Sequence, residues 1–180
     1  RRALSAPLGT TDVAINRYRI APDKGFPAGL HAHVDQEEGL AVLAGEATFE
    51  TLVNGAGDGR AAGEVTVDAG EAIRFAPGEF QSGRNDADTD LVVLAMGAPR
   101  DSGDVRIPAA CPACGHGDVR MDTGDDGLTF VCPDCGAEHV PAPCPACGSE
   151  DLRVTLGEDA RVIVVCRECG EAFDAPPLRD

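Results

Sequence analysis

The chain has 180 residues, a mass of 18.6 kDa and a formal net charge of −16, which allows one ordinary domain or one small domain with an appendage held by metal. No apolar run approaches the roughly 18 residues of a spanning helix and no secretory signal is visible, so a membrane protein is excluded and a cytoplasmic location is expected. Strong acidity and an aromatic content of 4% argue against nucleic acid as a partner.

The first half of the chain reads as short strands separated by glycine-rich turns. Predicted strands cover residues 12–21, 40–44, 46–53, 64–67, 72–75 and 91–95. Residues 54–63 are predicted to form the polar tip of a long hairpin. Many short strands with regular turn signals, and no long helical period, indicate a small closed β-barrel or a sandwich.

Two histidines and a carboxylate form a candidate metal site in this half. His31 and His33 are two residues apart, so on a strand both imidazoles lie on one face. Glu38 has the opposite parity, and a turn or bulge at residues 34–37 is expected to bring it round on the next strand. Two histidines and one carboxylate can form a facial triad that leaves open positions on a metal.

Two segments resemble the sequence motifs of the cupin family. The span from Gly25 to Gly45 has the residue spacing of the first motif, and Gly70, Pro77 and Asn85 match the second. The second motif departs in spacing by one residue on each side of Pro77, and Gln81 stands where the motif has a histidine. The resemblance implies a β-barrel whose metal ligands are His31, His33, Glu38 and Gln81.

Gln81 changes what this site is expected to bind. An amide oxygen is a weaker ligand than imidazole and favours harder ions. Two interpretations stay open: a retuned site that holds one divalent Fe, Mn, Ni or Zn ion, or a site that has lost its metal. Glu37 is a spare carboxylate beside Glu38, but it is expected to be a solvated acid because Glu38 alone keeps the motif spacing.

All eight cysteines lie after residue 110, in four Cys-x-x-Cys pairs that are each followed by glycine. Corresponding pairs are 33 or 34 residues apart, which indicates an internal duplication. A two-residue spacer lets both thiolates of a tight turn point at one ion, so each unit predicts one structural zinc site. The first set is Cys111, Cys114, Cys132 and Cys135, and the second is Cys144, Cys147, Cys166 and Cys169.

Each duplicated unit also predicts a hairpin between its two cysteine pairs. The first runs through 118–121 and 128–131 with a turn at 124–127, and the second through 152–156 and 161–165 with a turn at 157–159. These units resemble tandem zinc ribbons over residues 111–173. Iron is the rival ion, since a tetrahedron of four thiolates accepts it too, and disulfides are not expected without secretion. His116 and His139 are expected to be surface residues, because cysteines already fill both sites.

The acidity is spread evenly, since residues 1–105 and 106–180 each carry a net charge of −8. The chain has one lysine, Lys24, against 14 arginines. Such a composition is typical of cytoplasmic proteins of salt-loving organisms, where screening tolerates the repulsion. An acidic protein from a GC-rich genome, in which arginine replaces lysine, is the alternative.

Taken together, the two motifs, the cysteine-rich tail and the composition resemble small haloarchaeal cupin-domain proteins with C-terminal zinc ribbons. The resemblance implies an all-β chain: a small cupin barrel (double-stranded β-helix or jelly roll) followed by two tandem four-cysteine zinc ribbons. The predicted bounds are 1–98 for the barrel, 99–110 for a linker, 111–140 for the first ribbon and 141–180 for the second.

Three functions remain open. The first is a ligand-binding cupin that captures a small anionic or hydroxylated molecule, with ribbons that contact a protein partner or only stabilise the barrel. The second is a mononuclear metal-dependent enzyme, a dioxygenase or a sugar-type isomerase. The third is a zinc-ribbon protein-interaction module. Near the cupin site we expect Glu37, Glu79 and Arg84, but no lysine, tyrosine or further histidine. A homodimer is expected by analogy with other cupins and from the exposed barrel edges.

Overall fold

A computed structural model describes residues 1–54, 60–124 and 127–179. This part of the chain is nearly all β, with one short helix, α1 (Ser5–Leu8), which is far too short to cross a membrane. The strands are β1 (Arg2–Ala3), β2 (Ala14–Ile20), β3 (Lys24–Gly25), β4 (Ala32–His33), β5 (Glu37–Ala44), β6 (Glu46–Asn54), β7 (Arg60–Asp68), β8 (Ala72–Phe75), β9 (Phe80–Asn85), β10 (Leu91–Ala98), β11 (Val105–Ile107), β12 (Val119–Gly124), β13 (Gly127–Val131), β14 (Glu138–His139), β15 (Leu152–Leu156), β16 (Val162–Cys166) and β17 (Ala172–Phe173).

Two antiparallel sheets form the N-terminal barrel. One has the strand order β1-β2-β10-β5-β8 and the other has the order β3-β9-β6-β7. Their inner faces meet in an apolar core in which Phe49 is fully buried and its ring packs against the rings of Phe26 and Phe75, with centroids 5.9 and 5.8 Å away. This arrangement confirms the all-β barrel predicted from the short strands and turns.

The predicted strands at 46–53 and 91–95 lie within β6 and β10, where apolar residues alternate or form a continuous run. Strand β9 was not predicted, because its central residues Gln81, Ser82 and Gly83 are polar or small although they are buried. Gly83 has to be small, since a Cβ there would lie 2.7 Å from the Phe26 ring. The predicted loop at 54–63 belongs in part to strands, because β6 ends at Asn54 and β7 begins at Arg60; residues 55–59 lie outside the described part.

The C-terminal part contains two small sheets, each built on a hairpin as predicted. Strands β12, β13 and β14 belong to the first, which continues through β11 to β4, and β15, β16 and β17 form the second. Residues 125 and 126 of the first predicted turn lie outside the described residues. The glycine after each cysteine pair has a positive φ, for example 78° at Gly115, and its N–H donates to the carbonyl of the first cysteine. A left-handed residue at this place suits glycine and closes the turn.

The segment predicted as a linker contains strand β11, which joins the two parts of the chain. Its Val105 and Arg106 pair with His33 and Ala32 of β4, and its other edge pairs with β12. The first ribbon therefore extends, through β11, a sheet that ends on the barrel strand β4.

The second ribbon packs directly on the outside of the barrel. Leu30 and Leu52 of the barrel are buried in a cluster with Val154 and Leu156 of the ribbon. The carboxylate of Glu50, itself buried, accepts hydrogen bonds from the Thr155 hydroxyl and the Leu156 amide. Apolar contact and satisfied polar groups thus hold this ribbon against the barrel.

We expect Phe49→Ala to lower the free energy of unfolding of the barrel by about 3–5 kcal/mol, because it leaves a cavity between the rings of Phe26 and Phe75. Val65, which pairs with Phe49 across β6 and β7 and is 42% exposed, supplies the control Val65→Ala, with an expected change within about 0.5 kcal/mol. Urea unfolding with zinc present measures both. Equal losses in the two variants would contradict the core placement of Phe49.

Candidate metal centre

The three residues of the predicted triad meet at one end of the barrel cavity. One ligand atom from each of His31, His33 and Glu38 lies within 4.8 Å of the other two. His31 forms a bridge to Gln81 of β9, His33 ends β4, and Glu38 is the second residue of β5. The two imidazoles lie on the same side of their strand, with ring centroids 5.1 Å apart.

A turn fixed by hydrogen bonds brings Glu38 to the histidines. Such a turn was expected because Glu38 is an odd number of residues from His33. Asp35 lies in the bend between β4 and β5, and its carboxylate accepts hydrogen bonds from the Ser102 hydroxyl at 2.6 Å and the Gly103 amide at 2.7 Å. These bonds lower the pKa of Asp35. Gln36 is buried next to it and donates to the carbonyl of Pro99 at 2.5 Å. The segment after the barrel therefore fixes the turn before Glu38.

Both imidazoles have a hydrogen-bond partner on the ring nitrogen that faces away from the triad. The Nδ1 of His31 lies 2.8 Å from the carbonyl oxygen of Gly29, which can only accept, so Nδ1 carries the proton. The Nδ1 of His33 lies 3.0 Å from the Ser102 hydroxyl, which already donates to Asp35 and therefore accepts from His33. In each ring Nε2 is left as the lone-pair nitrogen. Metal-binding histidines have this pattern of outer hydrogen bonds.

Burial favours the neutral form of all three residues of the triad. Burial lowers the pKa of His31, and burial together with the neighbouring His31 lowers the pKa of His33 to about 4. Burial also raises the pKa of Glu38, although a hydrogen bond from Gln81 opposes this change. Neutral imidazole is the form that binds a metal, and a cation would compensate the buried carboxylate.

Gln81 lies beside the triad, where the second motif predicted the fourth ligand. Its Nε2 donates to Glu38 Oε2 at 2.8 Å and lies 3.5 Å from the Nε2 of His31. The side chain is buried, with 6% of its surface exposed. A half-turn of the amide would replace this hydrogen bond and turn the oxygen toward Glu38 and His31, so that a cation between them would have two nitrogen and two oxygen donors.

The triad opens onto a cavity of about 370 Å³. Its polar lining, apart from the triad and Gln81, comprises Arg1, Asn16, Tyr18, Gln36, Ser82, Arg100 and Ser102. The expectation that no tyrosine lies near the site is wrong, since Tyr18 of β2 lines this cavity. Alternation on β2 places Asn16 and Tyr18 on the same face as the buried Ile20, but it does not indicate that this face borders a cavity.

Three residues expected near the site do not line the cavity. Glu37 forms an exposed ion pair with Arg74, in line with its interpretation as a solvated acid. Glu79 accepts a hydrogen bond from the Ala76 amide in the turn before β9. Arg84 points to the outside of the barrel, where it pairs with Glu64 and Asp86.

Each set of four cysteines forms a compact cluster. In the first, the Sγ atoms of Cys111 and Cys135 lie 3.8 Å apart and those of Cys114 and Cys132 lie 3.6 Å apart. In the second, Cys144 and Cys169 are 3.7 Å apart, and Cys147 and Cys166 are 3.6 Å apart. Zn–S bonds of about 2.3 Å in a tetrahedron require S···S edges of about 3.8 Å, whereas a disulfide requires about 2.05 Å. The clusters fit tandem zinc ribbons.

Backbone amides favour the thiolate form of one cysteine in each cluster, whereas burial and the neighbouring thiols raise the pKa of Cys114 and Cys147. The N–H of Cys135 lowers the pKa of the Cys132 thiol to about 6, and the N–H of Cys169 lowers that of Cys166 to about 7. Zinc binds the thiolate form. Of the two histidines predicted to be surface residues, His139 has its Nε2 3.7 Å from the Sγ of Cys111, and His116 has its Nε2 3.6 Å from Asp118.

Comparison with solved structures identifies the fold of the barrel. A sugar phosphate isomerase from a cupin superfamily, from Silicibacter pomeroyi, aligns at a TM-score of 0.52 and 18% identity, over 74% of this chain and 76% of its own. A cupin protein from Bacteroides fragilis aligns with a TM-score of 0.45 and 21% identity, over 58% of this chain and 80% of its own. A protein with a double-stranded β-helix domain from Klebsiella pneumoniae aligns with a TM-score of 0.42 and 20% identity, over 52% of this chain and 73% of its own. No protein-family model or curated protein matches. The barrel has the cupin fold.

We expect Ser102→Ala to weaken metal binding at the triad by about 10- to 100-fold, because His33 loses the partner that fixes its tautomer and orientation. Thr11→Ala is the matched control, since the Thr11 hydroxyl bonds only to the neighbouring exposed Asp12. Titration of the zinc-loaded protein with Mn²⁺ gives both affinities. Unchanged affinity in Ser102→Ala would show that the hydroxyl does not support His33.

Proposed function

We propose that this chain is a metal-binding cupin that binds a small anionic molecule at a mononuclear site formed by His31, His33 and Glu38. The observation that carries the proposal is the convergence of these three ligand atoms within 4.8 Å at the wall of a cavity. The outer hydrogen bonds on both imidazoles support it, because they leave two Nε2 lone pairs available.

The proposed cofactor is one divalent Fe, Mn, Ni or Zn ion, with the amide oxygen of Gln81 as a fourth ligand. Two imidazoles, one carboxylate and one amide leave two positions of an octahedron for a ligand or water. The ion supplies Lewis acidity at those open positions. The chain itself holds the imidazoles neutral and keeps the carboxylate in place.

Charge and size define the proposed ligand. The two positive charges of a divalent ion exceed the one negative charge that the Glu38 carboxylate can supply. Arg1 and Arg100 add positive charge to the cavity lining. Small residues, among them Ala95 and Gly97, form another part of the lining. A cavity of about 370 Å³ suits a small molecule. We therefore propose a compact ligand with a carboxylate, phosphate or polyhydroxyl group that binds at the metal.

The ribbons are proposed to bind two structural zinc ions through Cys111, Cys114, Cys132 and Cys135, and through Cys144, Cys147, Cys166 and Cys169. We keep the bounds 1–98, 99–110, 111–140 and 141–180 as a proposal for the division of the chain. Eight unpaired cysteines suit a reducing compartment, and a cytoplasmic location in a salt-loving organism is proposed with the composition. A protein partner on the ribbons and a homodimer remain proposals of the same kind.

Tyr18 favours one enzymatic alternative, an isomerase. An isomerase needs a proton donor and acceptor near its substrate, and Tyr18 and Glu38 lie on the lining of one cavity. The Silicibacter pomeroyi protein is named as a sugar phosphate isomerase. Under this alternative, Tyr18→Phe lowers kcat for aldose–ketose phosphate interconversion by about 10²-fold or more with unchanged metal content. Equal turnover in Tyr18→Phe and wild type would exclude this role of the phenol.

Elemental analysis after anaerobic purification tests the proposed metal site. We expect two zinc ions and one further metal in the wild type, and loss of the third metal alone in His31→Ala/His33→Ala. His116→Ala/His139→Ala removes the other two histidines of the chain and serves as the matched control, with all three metals retained. Iron in the third site would direct the work to oxygen uptake, and Zn, Ni or Mn to isomerase assays.

Two outcomes would contradict the proposal. Two zinc ions and nothing else in the wild type, even after incubation with Fe²⁺ and Mn²⁺, would mean that Gln81 has disabled the centre. A third metal that persists in His31→Ala/His33→Ala would place it elsewhere in the chain.

A further inference from the structure

The segment that carries the two histidines lies between the barrel and both ribbons. On the barrel side, His31 exchanges two backbone hydrogen bonds with Gln81, at 3.1 and 2.8 Å. On the other side, the Leu30 amide donates to the carbonyl of Val154 in β15 at 2.7 Å, and the Val34 amide donates to the carbonyl of Asp104 at 2.9 Å. Residues 29–34 therefore complete their backbone hydrogen bonding on β15 of the second ribbon and on the segment 104–106 that leads into the first ribbon.

Gly29 lies at the closest contact between this segment and the second ribbon. A Cβ at Gly29 would lie 2.6 Å from the carbonyl oxygen of Val154 and 3.0 Å from its nitrogen. The carbonyl of the same glycine accepts the hydrogen bond from Nδ1 of His31 at 2.8 Å. One residue thus both contacts the ribbon backbone and orients the first metal-binding imidazole.

Further contacts fix β15 on this segment and its neighbours. Arg153 donates to the carbonyl of Phe26 at 3.3 Å, and its guanidinium occupies the space that a side chain at Gly25 would fill. Thr155 donates to the buried Glu50 at 2.8 Å. Every residue of β15 is partly buried, although among the described strands it pairs only with β16.

The second zinc site determines whether β15 can hold this position. β15 and β16 lie between the knuckle of Cys144 and Cys147 and that of Cys166 and Cys169, and β16 ends at Cys166. A unit of this size has too small a core to fold without its ion, so loss of zinc would free β15 from the barrel.

We propose that the second zinc ribbon is a positioning element of the cupin metal centre, which acts through β15 on Gly29 and thereby on His31. This inference rests on the proposed function. It follows that zinc at the second four-cysteine site and the metal at the triad bind with positive cooperativity. Each ion raises the affinity for the other by the same factor, because coupling between two binding equilibria is reciprocal.

The test uses a neutral substitution at the contact. Gly29→Ala drives a methyl group against Val154 without a change of charge, and we expect Mn²⁺ affinity at the triad to fall by about tenfold or more, as on loss of an outer-shell partner. Gly39→Ala is the matched control, because Gly39 is adjacent to Glu38 and the nearest atom to its added Cβ would be Met96 Cε at 4.0 Å. Mn²⁺ is chosen because thiolate sites disfavour it, so both zinc ions stay in place.

A second readout detects the coupling in the opposite direction. Saturation with Mn²⁺ is expected to slow hydrogen exchange of the Leu30 amide and of the β15 amides in the wild type and in Gly39→Ala. In Gly29→Ala the same addition is expected to leave β15 unchanged. A role of Gly29 in folding alone would not make the exchange of β15 depend on a metal bound by the barrel.

Each outcome separates the two proposals. If the wild type binds no Mn²⁺ and no Fe²⁺, the proposed function fails, and the inference fails with it. If the wild type binds Mn²⁺ and Gly29→Ala binds it equally well, only the inference is overturned. If the Gly29→Ala variant loses zinc, the Thr155→Val variant is used in its place. This change keeps the shape of the side chain and removes the hydrogen bond to Glu50. Equal Mn²⁺ affinity in Thr155→Val with both zinc ions retained would then overturn the inference.

Discussion

The structure depends on the two-sided hydrogen bonding of the segment 29–34. Buried backbone N–H and C=O groups need partners, and this segment finds them on the barrel through Gln81 and on the ribbon side through Val154 and β11. The histidines project from it into the cavity, so the same bonds that satisfy the backbone set the position of the imidazoles. The candidate metal site and the contact with the second ribbon therefore depend on the same short segment.

The sequence was sufficient for those features that rest on local periodicity or spacing. The two-residue interval of His31 and His33, the turn before Glu38, and the Cys-x-x-Cys-Gly knuckles each follow from geometry within a few residues. The position of Gln81 followed from the motif resemblance, and its contact with Glu38 agrees with that position. Core strands such as β6 and β10 were also predictable, because apolar residues alternate in β6 and form a continuous run in β10.

The remaining features depend on contacts between distant residues, which leave no local pattern. Ser102 supports His33 across 69 positions, and Leu30 bonds to Val154 across 124. Strand β9 was not predicted, because its central residues lack an alternating apolar pattern. Gln81 and Ser82 line the polar cavity, and Gly83 lies against the rings of Phe26 and Phe49. Tyr18 was missed although its strand alternates, because the alternation does not say which face borders a cavity.

The pairing of β11 with β4 has a consequence for the modularity of the chain. A cupin barrel that ended after β10 would leave the open edge of β4 to solvent, and unpaired edges invite association with other chains. In this protein β11, which continues into the first ribbon, covers that edge. The ribbons are therefore not independent of the barrel. If evolution removed β11 together with the ribbons, another segment would have to pair with the edge of β4 beside His33. The barrel and the ribbons are therefore expected to be inherited together.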